Sequence, residues 1–448
     1  MVAPLRRRTR KRHRLRTWMN GEWVGTWIVA EHRPAVFQYA ESWIESPHAR
    51  VLSLSLPFLP GNRPHEGANV QNYFENLLPD NPDIRERLQR KFSVGSARAF
   101  DLLTEIGRDC VGAIQLLPED RQPEGWNEIQ SEPLTEEEVE AALKNAVTNT
   151  LVADDDNFRI SIAGAQEKTA LLRHQGAWHK PLGATPTTHI LKLPLGLVGG
   201  MQADMRTSVE NEWLCSKIVE GFGLDVAHCD IGVFGDTKAL VVTRFDRRLS
   251  DEGNYWLRLP QEDMCQATAT PPNLKYEADG GPGIRDILDI LRGSSQQHDD
   301  RRAFFKAQIL FWMLAATDGH AKNFSIFHEH AGTYRMTPLY DILSAWTIIG
   351  PRKGQLPWQK AKLAMALRSK NAHYAFAKVQ RRHFNAVAEA CGIGKDAEDL
   401  IQEILSQVPG VVQNVEELLP KDFPEDVSTP ILNGLKDSAA RLEQMPSV

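Results

Sequence analysis

The feature that most limits the fold is a change of period partway along the chain. Between about residues 150 and 245, apolar residues follow the two-residue rhythm of strands, interrupted by one helical stretch from Ser208 to Glu220. The spacing predicts strands at Phe158–Ile162, Thr169–Leu172, His189–Leu193, Ile231–Val233 and Ala239–Val242. From about residue 282 onward the period is helical. Phe304, Phe305, Phe311, Trp312 and Ala315 mark one apolar face, and later helices are predicted over 373–391, 396–419 and 427–444. A strand-rich lobe followed by a helical lobe leaves a cleft between them in which a small ligand is held. The 448 residues suffice for two or three such units.

Ahead of these lies a smaller α+β unit. Thr17–Met19 and Glu22–Trp27 read as strands joined by Asn20-Gly21, the dipeptide that accepts positive φ at both centres of a type I′ turn. Further strands are predicted at Ala35–Tyr39, Val51–Leu56 and Gly112–Leu117. Helices are predicted ending near Asp80, opening at Pro82, and over Asp101–Ile106. No catalytic constellation is legible in this unit. Residues 118–134 have linker composition, and Thr135 with Glu138 forms a capping box. The division read from the sequence is therefore a basic disordered arm over 1–16, an N-terminal subdomain over 17–134, a β-rich lobe over 135–250 and a helical lobe over 251–448.

The long apolar helix runs into Thr317-Asp318-Gly319-His320-Ala321-Lys322-Asn323, and Asp341 follows beyond a short hairpin. An Asp-Gly after an apolar helix also reads as a plain helix stop. Yet an aspartate followed five residues later by an asparagine, with a second aspartate downstream, is the spacing of a protein-kinase catalytic loop. There a carboxylate takes the acceptor hydroxyl's proton, and oxygen ligands hold magnesium. Asp318 fits the first role, and Asn323 with Asp341 the second. No second His or Cys sits at ligand spacing from His320, so zinc is disfavoured.

Other parts of such a site are recognisable upstream. Lys192 is a lone lysine in an apolar strand, placed to hold phosphates, and Glu212 or Glu210 on the next helix could pair with it; Glu212 is preferred. Ala163-Gly164-Ala165 is small enough for backbone N–H groups to approach a phosphate. Thr243-Arg244-Phe245-Asp246 stands where two lobes would join, its backbone facing an adenine edge and Phe245 packing on the ring. Its arginines, with Arg247 and Arg248, also read as a solvated, ion-paired loop.

Eight blocks together resemble the HipA-type serine/threonine kinases, toxins of bacterial toxin–antitoxin modules. They are Ser-Leu-Ser-Leu-Pro (53–57), Asn-Leu-Leu-Pro-Asp (76–80), Glu-Ile-Gly-Arg-Asp-Cys-Val-Gly-Ala (105–113), Arg-Ile-Ser-Ile-Ala-Gly-Ala-Gln-Glu-Lys (159–168), Arg-Phe-Asp-Arg-Arg (244–248), Leu-Pro-Gln-Glu-Asp-Met-Cys-Gln (259–266), Thr-Asp-Gly-His-Ala-Lys-Asn (317–323) and Tyr-Asp-Ile (340–342). The resemblance implies an α+β, two-lobed protein-kinase-like fold: an N-terminal α/β subdomain, a β-rich nucleotide-binding lobe and an all-helical C-terminal lobe. It implies Asp318 as catalytic base, Asn323 and Asp341 on Mg²⁺, and Lys192 on the ATP phosphates. The wider ATP-contacting set comprises Ala163, Gly164, Ala165, Gln166, Thr243, Arg244, Phe245, Asp246, His320, Lys322, Tyr340 and Asp341. Ser161 matches the family's autophosphorylated serine. Implied partners are a small helix-turn-helix antitoxin that carries the kinase to operator DNA, and an aminoacyl-tRNA synthetase as substrate, glutamyl-tRNA synthetase foremost. The basic arm and Thr243, where an acidic residue is usual, depart from the family pattern.

Charge and cysteine usage bear on the setting. Residues 1–16 carry eight Lys/Arg and no acid, so against a total of −6 the remainder sums to −14. Only the arm is suited to nucleic-acid phosphates; it reads equally as a free tail. Five scattered cysteines with no Cys-x-x-Cys pair, and no apolar run long enough for a bilayer, fit a cytoplasmic protein. Two rival readings are a small-molecule phosphotransferase and a non-catalytic, DNA-bound corepressor.

Overall fold

The computed structural model describes residues 12–147 and 166–447. The first unit is a five-stranded sheet in the order His65–Glu66, Val36–Tyr39, Glu22–Ala30, Arg12–Met19, Ile114–Pro118. Asn20 and Gly21 at its first turn have φ of 42° and 83°, the two positive values that an Asn-Gly turn permits. Helix Ala68–Glu75 closes one face by stacking Phe74 on Trp27, ring centroids 4.0 Å apart. The first strand takes in Arg12–Arg16, which the sequence reading assigned to a disordered arm. Arg14 lies 3.2 Å from Glu119, and Arg16 covers the Trp23 ring at 5.1 Å. Residues 1–11 lie outside the described residues.

Val51–Leu56, expected as a strand, is an irregular segment. It is largely buried, with Leu52, Ser53 and Leu56 inside and Leu54 half-buried, so burial does not follow the alternation. Its polar groups, however, meet side chains rather than a ladder. The Tyr39 hydroxyl accepts from Leu52 N–H at 2.7 Å and donates to the Leu56 carbonyl at 2.6 Å, while Leu54 N–H donates to Glu262 at 2.8 Å.

The second unit is a six-stranded antiparallel sheet. Its order is Cys229–Phe234, Thr237–Thr243, His189–Lys192, Lys168–His174, Ala177–Pro181, Ser131–Pro133. The last two strands were not anticipated; Ser131–Pro133 lies in the stretch of linker composition and forms the sheet's edge, where proline is tolerated. The strand expected at Phe158–Ile162 lies outside the described residues. Helix Glu136–Val147 starts at the capping box, Thr135 N–H reaching Glu138 at 2.8 Å and Glu138 N–H reaching Thr135 Oγ1 at 3.3 Å. It lays Val139 and Leu143 on the sheet. Helix Ser208–Gly221 is buried along most of its length and touches both the sheet and the helical lobe.

The third unit holds the largest core, built from helices Ile284–Leu291, Gln297–Met313, Arg381–Cys391, Glu398–Leu418 and Glu425–Gln444. It is not all-helical. Gln261–Asp263, Ser325–His328 and Tyr334–Met336 form a small sheet, and Lys362–Arg368 pairs with Ala372–Ala375. That second pairing is why the helix predicted from 373 begins only at Arg381. The α+β, two-lobed arrangement is otherwise as expected. All five cysteines are buried and free, and no helix among the described residues is long and apolar enough to cross a membrane.

Candidate active site between the lobes

One cleft is lined from all three units: Asn76 and Asp80 from the first, Lys168 and Lys192 from the second, Asp318 and Asn323 from the third. The first unit thus contributes to the site, contrary to its reading from sequence. The loop carrying Asp318 leaves helix Gln297–Met313 through Ala315, at φ 49°. Gly319 is required there by packing, because a Cβ would lie 2.4 Å from the Phe311 ring. Gly319→Ala is expected to destabilise the protein by about 1–3 kcal/mol through overpacking. Urea unfolding checks this, and an unchanged unfolding free energy would mean that the ring moves aside freely.

The five-residue spacing closes the loop on itself. The Asp318 carbonyl accepts from His320 N–H at 2.8 Å and from Asn323 Nδ2 at 2.8 Å. Asn323 therefore spends its amide nitrogen on the loop and keeps its oxygen for another partner. The Asp318 side chain is half exposed, and its Oδ1 accepts the Tyr276 hydroxyl. His320 is buried, and burial pushes its ring down to about 4. It is neutral at pH 7, so its 3.8 Å approach to Asp318 is no ion pair. Its Nδ1 is buried with no partner among the described residues.

Lys192 donates to Glu212 at 2.6 Å and also pairs with Asp341. Glu210 pairs instead with Lys238, because residues two apart on a helix point to opposite sides. In the strand ladder Lys168 stands opposite Lys192. Burial, with the Lys192 ammonium adding to it, pushes Lys168 down to about 7. Two lysines facing each other across a ladder repel unless an anion comes between them. Asp341 adopts φ 57°, an uncommon conformation for a non-glycine residue, held from behind by the paired hydrogen bonds of Asn211 with Ser344, both 2.8 Å.

Lys322 directs its ammonium to Asp80 at 2.7 Å and to the Asn76 carbonyl at 3.2 Å, and Lys275 reaches the other Asp80 oxygen at 2.9 Å. Burial works to raise the Asp80 carboxyl, but the two lysines bring it down to about 2. Asp80 and Lys168 close two of the recognised blocks, yet no role was read for them or for Lys275, since none has its partner within reach along the chain.

At the junction of the lobes the solvated-loop reading of the arginines fails for Arg244 and Arg247. Both are fully buried; only Arg248 is exposed. Arg244 meets Asp246 at 2.8 Å and Asp109 at 3.3 Å, Arg247 meets Asp109 at 2.9 Å, and Arg258 meets Asp109 at 3.3 Å. Arg244 and Asp246 line the cleft, but their charges are committed to this cluster. Main-chain N–H groups of Thr243 and Arg244 donate to His228 and Thr188 at 2.8 and 2.9 Å. Phe245 N–H and C=O have no partner among the described residues, and Phe245 lines the cleft. The Phe245 ring lies 5.7 Å from that of Tyr340, whose hydroxyl donates to the Lys322 carbonyl at 2.9 Å. Gln166 donates to the Leu193 carbonyl; Ser161, Ala163, Gly164 and Ala165 lie outside the described residues.

Among the described residues no cluster of three or more His, Cys, Asp or Glu side chains could hold a metal. Asn323 and Asp341 nevertheless fit magnesium, as hard oxygen donors in the same cleft. Magnesium commonly takes one or two protein ligands and fills its remaining positions with water and phosphate.

The HipA N-terminal domain family model matches residues 15–117, and the HipA-like C-terminal domain model matches residues 160–412. The chain is 33% identical to Putative kinase Y4mE of Sinorhizobium fredii over 78% of its own length and 82% of the relative's. It is 30% identical to the serine/threonine-protein kinase toxin HipA of Shewanella oneidensis, over 64% and 66% of the two chains. A solved structure of Shewanella oneidensis HipA with HipB and its operator DNA superposes with a TM-score of 0.75, at 23% identity, over 96% of this chain and 97% of that one.

Proposed function

The chain belongs to the HipA family, and from that membership and the cleft's chemistry we propose that it is an ATP-dependent protein serine/threonine kinase, the toxin of a toxin–antitoxin module. The observation that carries the reading is the convergence of Asp318, Asn323, Asp341 and the Lys192–Glu212 pair on one cleft. The adenine edge meets the Phe245 backbone, and the phosphates lie against Lys192 and Lys168. Asp318 accepts the proton of an incoming serine or threonine hydroxyl, turning it toward the γ-phosphorus. Lys192, held by Glu212, counters the charge that develops on the transferring group. Magnesium, held by the Asn323 amide oxygen and the Asp341 carboxylate, would neutralise phosphate charge. Lys192 would then share Asp341 with the metal.

Ser161 is the proposed site of self-inactivation. A phosphoserine brings roughly −1.5 to −2 charges, which would repel ATP from a cleft that attracts it through two lysines. The proposed partners are a helix-turn-helix antitoxin with operator DNA, and an aminoacyl-tRNA synthetase as substrate. The solved Shewanella complex contains HipA, HipB and operator DNA, which supports the first pair.

Incubation with magnesium and radiolabelled ATP, followed by peptide mass spectrometry, tests the reading. Label on Ser161, and on glutamyl-tRNA synthetase when that is added, is expected. ATP binding without protein labelling would favour a small-molecule phosphotransferase. No ATP binding at all would leave a corepressor, whose DNA affinity should then fall steeply with salt.

A further inference from the structure

Asp318 has two carboxylate oxygens and stands half exposed on a loop, where a free carboxylate would sample several orientations. Its hydrogen bond from the Tyr276 hydroxyl is therefore notable. Burial, and the Asp318 charge beside it, push the phenol of Tyr276 far above its ordinary value, so it stays protonated and acts only as the donor.

Tyr276 is itself held in place. Its ring meets His320 edge-on at 5.0 Å and 87°, and the Lys275 ammonium lies 5.6 Å from the ring centre. The backbone is pinned on both sides. Lys275 is bonded to Asp80, and the buried Glu277 accepts from Ala366 N–H at 2.5 Å and pairs with Arg368. Asp318 Oδ2, by contrast, has no partner among the described residues. Lys275, Asp318 and His320 line the cleft, and Tyr276 touches Asp318 and His320 from beside that lining.

We infer that Tyr276 is the positioning residue of the general base: by holding Oδ1 of Asp318 it presents Oδ2 to the acceptor hydroxyl. The inference rests on the kinase reading of Asp318. The proton moves from the acceptor hydroxyl to Oδ2, the acceptor oxygen bonds to the γ-phosphorus, and the bond from that phosphorus to the β,γ-bridging oxygen breaks as ADP leaves. Tyr276 keeps its own proton throughout.

The test is Tyr276→Phe, which removes one oxygen and keeps the ring, measured alone and combined with Asp318→Asn. Single-turnover transfer from radiolabelled ATP is expected to slow by about tenfold, the scale of one charge-assisted hydrogen bond, with the KM for ATP unchanged. In the Asp318→Asn background the same change should have almost no effect, because the orientation it controls no longer matters. Equal slowing in both backgrounds would reduce Tyr276 to structural support and overturn the inference. A faster Tyr276→Phe enzyme would overturn it too, since the hydroxyl would then be competing with the acceptor. An unchanged rate would do the same. If the unaltered protein transferred no phosphate at all, the kinase reading would fail first, so the two failures are distinguishable.

Discussion

Replacing Asp318 by asparagine is expected to slow phosphoryl transfer by about 10²–10⁴-fold, the usual contribution of a positioned general base, while ATP binds as before. The substitution keeps the shape of the side chain. An amide oxygen can still accept from Tyr276, and the Asp318 main-chain carbonyl still receives His320 and Asn323, so the loop keeps its closure. What is lost is the group proposed to take the acceptor's proton. The nucleotide contacts assigned to Phe245, Lys192 and Lys168 lie elsewhere in the cleft, so titration calorimetry with ATP should give an unchanged Kd. A variant retaining more than about a tenth of the rate would exclude Asp318 as the base, on the scale of that contribution. Loss of ATP binding along with activity would indicate a collapsed loop instead.

Asp109→Asn is expected to cost about 3–5 kcal/mol of stability, the scale for removing one partner from a buried ion network. Asp109 is buried with Arg244, Arg247 and Arg258 around it, and also accepts from Thr187 Oγ1 at 2.6 Å and Thr187 N–H at 3.0 Å. Burial alone would raise its carboxyl; the three guanidiniums hold it well below the ordinary carboxylate range. A depressed carboxyl contributes its full stabilisation above the unfolded value, about 3.9, and loses it only as pH falls toward the folded one. The loss in Asp109→Asn should therefore be nearly constant from pH 6 to 8 and shrink in acid. Guanidinium unfolding at three pH values measures it. ATP affinity should also fall, because Arg244 in this cluster carries the backbone on which Phe245 is presented. A variant as stable as the parent would mean that water enters and solvates the arginines.

The parts of the site that were legible in the sequence are those whose geometry is local. Asp318 and Asn323 are joined by one hydrogen bond across five residues, so their spacing is their geometry. Asn20-Gly21 likewise carries its turn within two residues. Lys192 could be picked out as a lysine in an apolar strand, and Glu212, preferred over Glu210, is the helix acid that pairs with it. Asp80 and Asp109 stand within two of the recognised blocks, but their partners could not be read from the sequence. Asp80 meets Lys275 and Lys322 some two hundred positions along the chain, and Asp109 meets Arg247 at a separation of 138. The same limit explains the misread elements. Val51–Leu56 has the alternation of a strand but gives backbone groups to Tyr39 and Glu262. Ala372–Ala375 pairs with Lys362–Arg368 instead of opening a helix.

The sharing of Asp80 and Asp109 across the matched N-terminal and C-terminal segments bears on how such chains can diverge and recombine. Each acid lies in the first segment and has its cationic partners in the second. A hybrid that joined the N-terminal segment of one relative to the C-terminal segment of another would inherit acids and lysines or arginines fitted to different counterparts. Asp80 with Lys275 and Lys322, and Asp109 with Arg244, Arg247 and Arg258, should therefore pass between lineages as sets, making the seam near residues 118–160 a poor place for exchange.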